Sequence, residues 1–178
     1  MKAALAAGPR RVTRTEQVIL LRIGGQLFAI SAGSVQEIRS TDSIAGAATS
    51  IDQPLLKKVR QVIRRHGRTL YVIHGCLHFD LPVQPATLVF LLKDLRIALL
   101  VDGIERMATI TRLHAVPKAF HGDEQHWYRG LVLMDNAVIP VIHPAGLLGA
   151  EEMDQLDAAL APVPALLAEP EMDSRQSP

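Results

Sequence analysis

The sequence has little of what marks secreted or membrane-spanning proteins. Its 178 residues include one cysteine, so no disulfide can form within the chain, and this usage fits a reducing compartment. The most apolar region, Leu88–Val101, is interrupted by three charged residues and cannot span a membrane. The apolar stretch before Gly8 is also too short for a signal peptide. We therefore expect a soluble, cytoplasmic protein.

An excess of charge of either sign is absent as well. The 19 basic residues nearly balance the 18 acidic ones, which argues against an extended phosphate-binding surface. One basic cluster, residues 57–68, could still bind an oligonucleotide, but such sites interleave positive charge with aromatic rings. Only Tyr71 lies nearby. We expect no nucleic-acid partner and keep a nucleic-acid-binding small barrel as a third hypothesis.

Signatures of catalysis and of metal binding are missing too. His74 and His78 are four residues apart, but no HExxH arrangement accompanies them and no second cysteine offers a thiolate pair. No GxSxG elbow surrounds a serine, and Gly24–Gly25 lacks the residues of a phosphate-binding loop. We expect no enzymatic activity, no catalytic residue, no metal, no cofactor and no small-molecule substrate.

What the sequence does contain is an internal repeat with an offset of 69 residues. The segment Ile19–Ile38 (ILLRIGGQLFAISAGSVQEI) aligns without a gap on Leu88–Met107 (LVFLLKDLRIALLVDGIERM). At the same offset, Arg60–Phe79 aligns on Arg129–Leu148. The identical positions in this second pair are Arg60/Arg129, Val72/Val141, Ile73/Ile142 and His74/His143. A fixed period indicates one structural unit that was built twice.

Each copy contains about five short β-strand patterns, enough to close a small barrel. Gly24–Gly25 predicts a tight hairpin because both positions can adopt positive φ. His66–Gly67 and Asp135–Asn136 predict two further hairpins, and Lys93–Asp94 a weaker one. Pro140 suggests that its strand lies at a sheet edge, since proline cannot donate to a ladder.

The remaining segments are connections, a helix and the two ends. Thr41–Lys58 and Ala108–Trp127 are longer than hairpin loops and are predicted to be functional or mobile connections. Glu151–Ala161 predicts a helix, because acidic residues lead it and a proline follows it. The ends, residues 1–15 and 162–178, are rich in alanine, proline and charge and are predicted to be disordered.

Five motifs in this order resemble the CheW-type chemotaxis coupling proteins. They are IGGQLFAI…VQEIR, VRQVIRRHGRTLYVIHGCLHFDLP, IALLVDGIERM, YRGLVLMDNAVIPVIHPAGLL and EEMDQLDAAL, and they span about Glu16 to Leu160. The resemblance implies an all-β fold of two intertwined, SH3-like, five-stranded β-barrels from the internal duplication, plus a short C-terminal helix. It makes residues 16–161 a single CheW-like domain, with subdomains at about 16–85 and 86–150 and the helix at 151–161.

The resemblance also implies a function without catalysis. Proteins of this family join a CheA-type histidine kinase to the cytoplasmic tip of methyl-accepting chemoreceptors, and they meet the membrane only indirectly, through receptor arrays. The alternative is a CheW-like module that regulates a kinase in a pilus-motility or second-messenger pathway without binding a receptor. Only the first hypothesis predicts a ternary complex.

The receptor- and kinase-binding regions of the family correspond to three parts of this sequence. The resemblance assigns to these regions Val35, Glu37 and Arg39, then Val59, Gln61, His66 and Gly67, and finally Val101, Asp102, Gly103 and Met107. The groove between the two copies would hold the receptor. The exposed apolar ends of the first-copy strands would contact the kinase.

One of these positions departs from the family pattern. An Asn-Leu-Arg-Gly tetrad is usual where Arg64–Gly67 stands here, so His66 replaces an arginine that lies near the glutamate equivalent to Glu37. A histidine–glutamate pair weakens near neutral pH as the imidazole loses its proton, unlike an arginine–glutamate pair. We expect altered, pH-sensitive receptor contacts, with drift at a tolerated surface position as the alternative.

Overall fold

A computed structural model describes residues 15–52, 54–120 and 122–161. The disorder predicted for the two ends therefore falls, apart from Thr15, outside the described residues. The strands are β1 (Glu16–Ile23), β2 (Gln26–Ser31), β3 (Val35–Ser40), β4 (Ala48–Ser50), β5 (Val59–Arg65), β6 (Arg68–His74), β7 (Leu88–Leu92), β8 (Ile97–Val101), β9 (Gly103–Ile110), β10 (Tyr128–Met134) and β11 (Ala137–Ile142). The helices are α1 (Thr41–Ile44), α2 (Gly75–His78), α3 (Glu124–Trp127) and α4 (Ala150–Leu160), with 3-10 turns at Ala32–Ser34 and Pro144–Gly146. Within the described ranges, no helix is long and apolar enough to cross a membrane.

The strands form two sheets, and each sheet takes strands from both copies of the repeat. Sheet I has the order β10-β11-β2-β1-β9, and sheet II has the order β3-β7-β8-β6-β5-β4. Neither order returns to its first strand in the described chain, but contacts reach across each gap. In sheet I, His114 and Leu131 exchange two backbone hydrogen bonds of 2.8 Å. In sheet II, Arg65 reaches Glu37. The all-β class with its C-terminal helix is confirmed.

The 69-residue repeat is confirmed at the level of elements. Strand β10 begins and ends 69 residues after β5 (59 and 128, 65 and 134). The first copy exceeds the five predicted strands, because β4 pairs with β5 inside the predicted connection Thr41–Lys58, which also holds α1. Strand β4 is three residues long, too short to reveal a period of two in the sequence. Sheet II therefore has six strands.

Both faces of β1 are buried along most of its length. Ile19, Leu21 and Ile23 belong to the largest apolar cluster, which takes residues from both sheets. Val18 and Leu20 belong to a second cluster formed by sheet I strands alone. A third cluster fills the inner face of sheet II. The two sheets thus share the largest apolar cluster, and each sheet also has a smaller cluster of its own.

The turns follow the predictions in three of four hairpins. Gly24–Gly25, His66–Gly67 and Asp135–Asn136 all have positive φ, between 47° and 77°, as two-residue hairpin loops require. The fourth turn, for which the prediction was weaker, is longer than the predicted two residues, since the four residues Lys93–Arg96 connect β7 and β8. This longer loop forms one wall of a surface groove.

The prediction that Pro140 marks a sheet edge is wrong, because β11 lies between β10 and β2. Pro140 pairs with Leu131, whose own N–H and C=O bond to His114 on the far side. The Pro140–Leu131 pair is therefore not hydrogen-bonded, and the Pro140 nitrogen faces β2. On that side β11 is paired at a single position, Val141 with Ala29. The N–H that Pro140 lacks would therefore have faced β2, where β11 forms few ladder hydrogen bonds.

Helix α4 is held by charged side chains near both of its ends. Glu152 accepts a hydrogen bond from Lys58 Nζ at 2.8 Å. Five residues further on, Asp157 accepts one from the Tyr71 hydroxyl and one from Arg96 at 2.5 Å. Burial, followed by the bond to Asp157, raises the pKa of Tyr71 to about 12. The predicted helix is confirmed with its bounds displaced by one residue, and its axis runs from Lys58 towards Arg96.

Candidate partner-binding surface

Strand β3 carries three of the predicted site residues and is the first strand of sheet II. In the described chain it pairs with β7 only, and a bulge interrupts that pairing between Val35 and Glu37. An edge strand offers unpaired backbone groups to a partner. Ile38, between Glu37 and Arg39, is a large apolar side chain that is 37% exposed. Strand β3 therefore combines an open edge, charge and exposed apolar surface.

Glu37 binds two arginines, and the predicted pH-sensitive pair with His66 is wrong. The Glu37 carboxylate accepts hydrogen bonds from Arg65 and from Arg39, both at 2.5 Å. The hydrogen bond from Arg65, followed by the one from Arg39, holds the pKa of Glu37 below its usual value. Because a guanidinium stays charged at ordinary pH, the contact does not switch near neutrality. Arg65, the residue before His66, supplies the positive charge that the resemblance places one residue later.

The pairing of Glu37 can be tested by titration. In the Arg65→Gln variant, the pKa of the Glu37 carboxyl should rise towards its ordinary value of 4.5, because its first hydrogen-bond donor is lost. In the matched variant His66→Gln it should not move. Carbon-detected NMR titration of the Glu37 side chain measures both. A pKa that moves in His66→Gln and not in Arg65→Gln would contradict this arrangement.

Strand β9 is the second-copy equivalent of β3 and is the last strand of sheet I. Ile104 and Met107 lie 69 residues after Val35 and Ile38, so they occupy the same places in the repeat. Ile104 is 43% and Met107 58% exposed. Of the two equivalent pairs, Ile38 and Met107 are both exposed, whereas Val35 is half-buried against the largest apolar cluster and Ile104 is exposed.

The ion pairs beside these strands are also repeated, with the charges exchanged. Arg106 occupies the position of Glu37 and forms an ion pair with Asp135, which occupies the position of His66. In the first copy the acidic residue is on the strand, and in the second it is on the turn. These two ion pairs therefore place opposite charges on the two strands, although β9 also carries Glu105, which pairs with Arg22.

The end of β3 lies near the beginning of β9. Ser40 pairs with Leu88 of β7, and Leu88 pairs with Val101 of β8. Two strand spacings of about 4.8 Å place Val101 roughly 10 Å from Ser40. Asp102 then accepts a hydrogen bond from the Gly25 N–H at 2.8 Å, which anchors the chain where it crosses between sheets. The first- and second-copy parts of the predicted site thus meet at this crossing.

Some of the predicted site residues cannot contact a partner directly. Val59 and Val101 are fully buried in the shared core. They can only support the strands that carry the surface. The predicted site residues with exposed or half-buried positions are Val35, Glu37, Arg39, Gln61, His66, Gly67, Asp102, Gly103 and Met107.

A surface groove brings two of these residues together. The groove, named the β3 groove here, is lined by residues 32, 33, 35, 36, 65, 66, 68, 70 and 91–97. Val35 lies at its β3 wall and His66 at its β5–β6 turn. Arg68, which belongs to the basic cluster, and the β7–β8 loop complete the groove, and neither was predicted as part of a binding site. Only the fold brings that loop beside the β5–β6 turn.

Another apolar surface lies on sheet I and was not predicted. Leu133 and Val138 face each other across the β10–β11 hairpin and are 66% and 60% exposed. Beside the hairpin, Phe28, Phe79 and Tyr128 line an apolar cleft, with ring centroids 4.8 Å and 5.8 Å apart. Nothing in the period-two pattern of β10 distinguishes a partner-facing apolar residue from a core-facing one.

The basic cluster of residues 57–68 is poorly suited to single-stranded nucleic acid. Tyr71, the aromatic residue nearest in sequence, is fully buried and cannot stack on a base. Two of the cations are already bound, Lys58 to Glu152 and Arg65 to Glu37. These contacts favour a structural role for this charge.

His78 is buried between aromatic rings and is not grouped with other metal ligands. No three His, Cys, Asp or Glu side chains of the described ranges are close enough to hold a metal ion. The His78 ring lies 4.6 Å from that of Trp127 and 4.7 Å from that of Phe79. Its Nε2 has no hydrogen-bond partner in the described chain. Burial, reinforced by the charge of Lys58, lowers the pKa of His78 to about 3.

Comparison with known proteins agrees with the fold. A family model described as CheW-like domain matches residues 17–152. The chain is also similar to the crystal structure of the scaffolding protein TtCheW from Thermoanaerobacter tengcongensis, with a TM-score of 0.63 and 14% identity over 83% of this chain and 96% of that chain. At this identity the likeness concerns the fold alone. No curated protein matches the chain.

Proposed function

The chain belongs to the CheW-like domain family, and we propose that it is a non-catalytic adaptor that couples methyl-accepting chemoreceptors to a CheA-type histidine kinase. The family match covers most of the chain, including both copies of the repeat. The adaptor would act on the cytoplasmic side of receptor arrays and meet the membrane only through the receptors. Such coupling needs no bond chemistry, because it works by differential binding to signalling states.

The observation that carries this proposal is the matched pair of edge strands. Ile38 on β3 and Met107 on β9 are equivalent in the repeat, and both are exposed apolar residues. Exposed apolar residues rimmed by charge mark protein–protein contacts more often than catalytic sites. Two such strands give one small protein two contact surfaces, which is what a coupling function requires.

The opposite polarity of the two ion pairs supports two different partners. A partner at β3 meets Glu37 held between two arginines, whereas a partner at β9 meets Arg106 on the strand itself. Charged rims contribute to the choice of partner and to register more than to affinity. We assign the receptor tip to the groove between the two copies, where β3 ends and β9 begins, and the kinase to the exposed apolar ends of the first-copy strands.

The proposal is tested by reconstitution. The full chain, the regulatory fragment of its cognate kinase and the cytoplasmic fragment of a cognate receptor are mixed and analysed by size-exclusion chromatography with light scattering. We expect one peak that contains all three proteins. Binding of the kinase without the receptor would overturn receptor coupling and favour the kinase-regulating module of a pilus-motility or second-messenger pathway. Binding of neither would overturn the adaptor function.

A further inference from the structure

The β3 groove combines an apolar floor with a basic rim. Val35, Leu70 and Leu95 are half-buried apolar residues in its lining, which together form the apolar floor and lower walls. Arg68 and Lys93 are exposed on its rim and form no ion pair among the described residues. One acidic residue, Asp94, also lies on the rim. An apolar floor beneath excess positive charge fits an apolar segment that is followed by carboxylates.

The chain itself leads to this groove. Arg96, which lines the groove, holds Asp157 of α4 at 2.5 Å. Helix α4 ends three residues later, at Leu160, and the last described residue is Ala161. An extended chain advances about 3.3 Å per residue, so about ten residues can cover some 33 Å. Residues 162–178 therefore start within reach of the groove.

The sequence that follows α4 matches the groove in order and in charge. Residues 162–168 are PVPALLA, with Val163, Leu166 and Leu167 as apolar side chains. Residues 169–173 are EPEMD, with three acidic residues and no basic one. The opposite end of the sequence, residues 1–14, carries four basic residues and no acidic one, so charge disfavours it as an occupant.

We propose that residues 162–173 bind the β3 groove of their own chain as an intramolecular ligand. The apolar residues 163–167 lie on the floor, and the carboxylates of Glu169, Glu171 and Asp173 face Arg68 and Lys93. Attachment through α4 gives the segment an effective concentration of about a millimolar, which makes even weak contacts count.

Paramagnetic relaxation measures this docking on the full chain without kinase or receptor. A nitroxide label at Ser174→Cys is attached to nitrogen-15-labelled protein; Cys76 is buried and stays unlabelled. Amide signals of Gln36, His66 and Lys93 should relax about fivefold faster than those of Thr109 and Val138 in sheet I, because the segment is held locally at high effective concentration. Sodium chloride at high concentration should reduce the difference by screening the rim.

Charge reversal supplies the matched controls. Changing Glu169, Glu171 and Asp173 to lysine should abolish the enhancement at the groove. Combining those changes with Arg68→Glu and Lys93→Glu should restore it, which a loss of folding could not produce. Equal enhancement in the groove and in sheet I, no effect of the reversal, or an enhancement that grows with protein concentration would overturn the proposal. Because no partner is present, these outcomes are independent of the reconstitution experiment.

Discussion

Replacing Met107 with aspartate is expected to weaken the complex with the partner that contacts β9 by at least about tenfold, the effect of losing one central apolar anchor. Met107 is more than half exposed in the free chain, so the change costs the folded protein little. In a complex the aspartate would be buried without a partner charge, which is costly. Isothermal titration calorimetry with kinase and receptor fragments measures the effect.

The repeat provides the companion variant, and a loop provides the control. Ile38→Asp places the same charge at the equivalent position of β3. We expect it to weaken the complex with the partner that contacts β3, whether that is the second partner or the same partner bound across both strands. Val83→Asp introduces a carboxylate in place of an apolar side chain that is 72% exposed and lies outside both edge strands. It should leave all affinities within about twofold, as surface changes usually do. Equal losses in all three variants would contradict the assignment of the surface.

Acid should destabilise the protein through His78. In the unfolded chain this histidine takes up a proton near pH 6.5, whereas in the folded protein its pKa is about 3. Below pH 6.5 the unfolded state therefore binds more protons, and the free energy of unfolding falls by about 1.4 kcal/mol per pH unit for this group. Between pH 6.5 and 4.5 the loss amounts to roughly 2–3 kcal/mol, and it is absent at pH 8.

The His78→Leu variant isolates this contribution. Urea unfolding followed by the fluorescence of Trp127, the single tryptophan, gives the free energy of unfolding at each pH. The difference between wild type and variant at pH 8 reports the change in packing alone. From pH 6.5 to 4.5 the variant should lose less stability than the wild type by about 1.4 kcal/mol per pH unit. Parallel pH profiles for the two proteins would show that His78 is accessible to protons in the folded state.

Much of the fold follows from local signals in the sequence, and its exceptions have physical causes. The glycine pair Gly24–Gly25 predicted its hairpin, because both residues tolerate the positive φ that such a turn requires. The three-residue β4 was missed, since so short a strand shows no period. The prediction for Pro140 was wrong because proline is unfavourable only where its missing N–H would have formed a ladder hydrogen bond, and not at every position of a central strand. Its nitrogen points to the side where β11 is barely bonded, so it is tolerated inside the sheet.

The candidate surface was predictable in outline but not in its contacts. Glu37 was expected to face position 66, yet Arg65 is the residue that reaches it. Which of two adjacent residues crosses the gap depends on how the β5–β6 turn is oriented, and the sequence does not reveal that. Ile38 and Ile104 were missed, although the repeat aligns them with Met107 and Val35. Their exposure results from the edge positions of β3 and β9, which only the sheet orders determine.

The claim that β3 and β9 are the two contact strands is tested most directly by hydrogen–deuterium exchange with and without partners. The full chain is measured alone, with the kinase fragment, with the receptor fragment and with both. We expect protection of amides in residues 35–40 and 103–110, with the two segments responding differently to the two fragments. The buried residues 97–100 of β8 serve as the internal reference. Protection confined to other segments, with β3 and β9 unchanged in every mixture, would contradict the account.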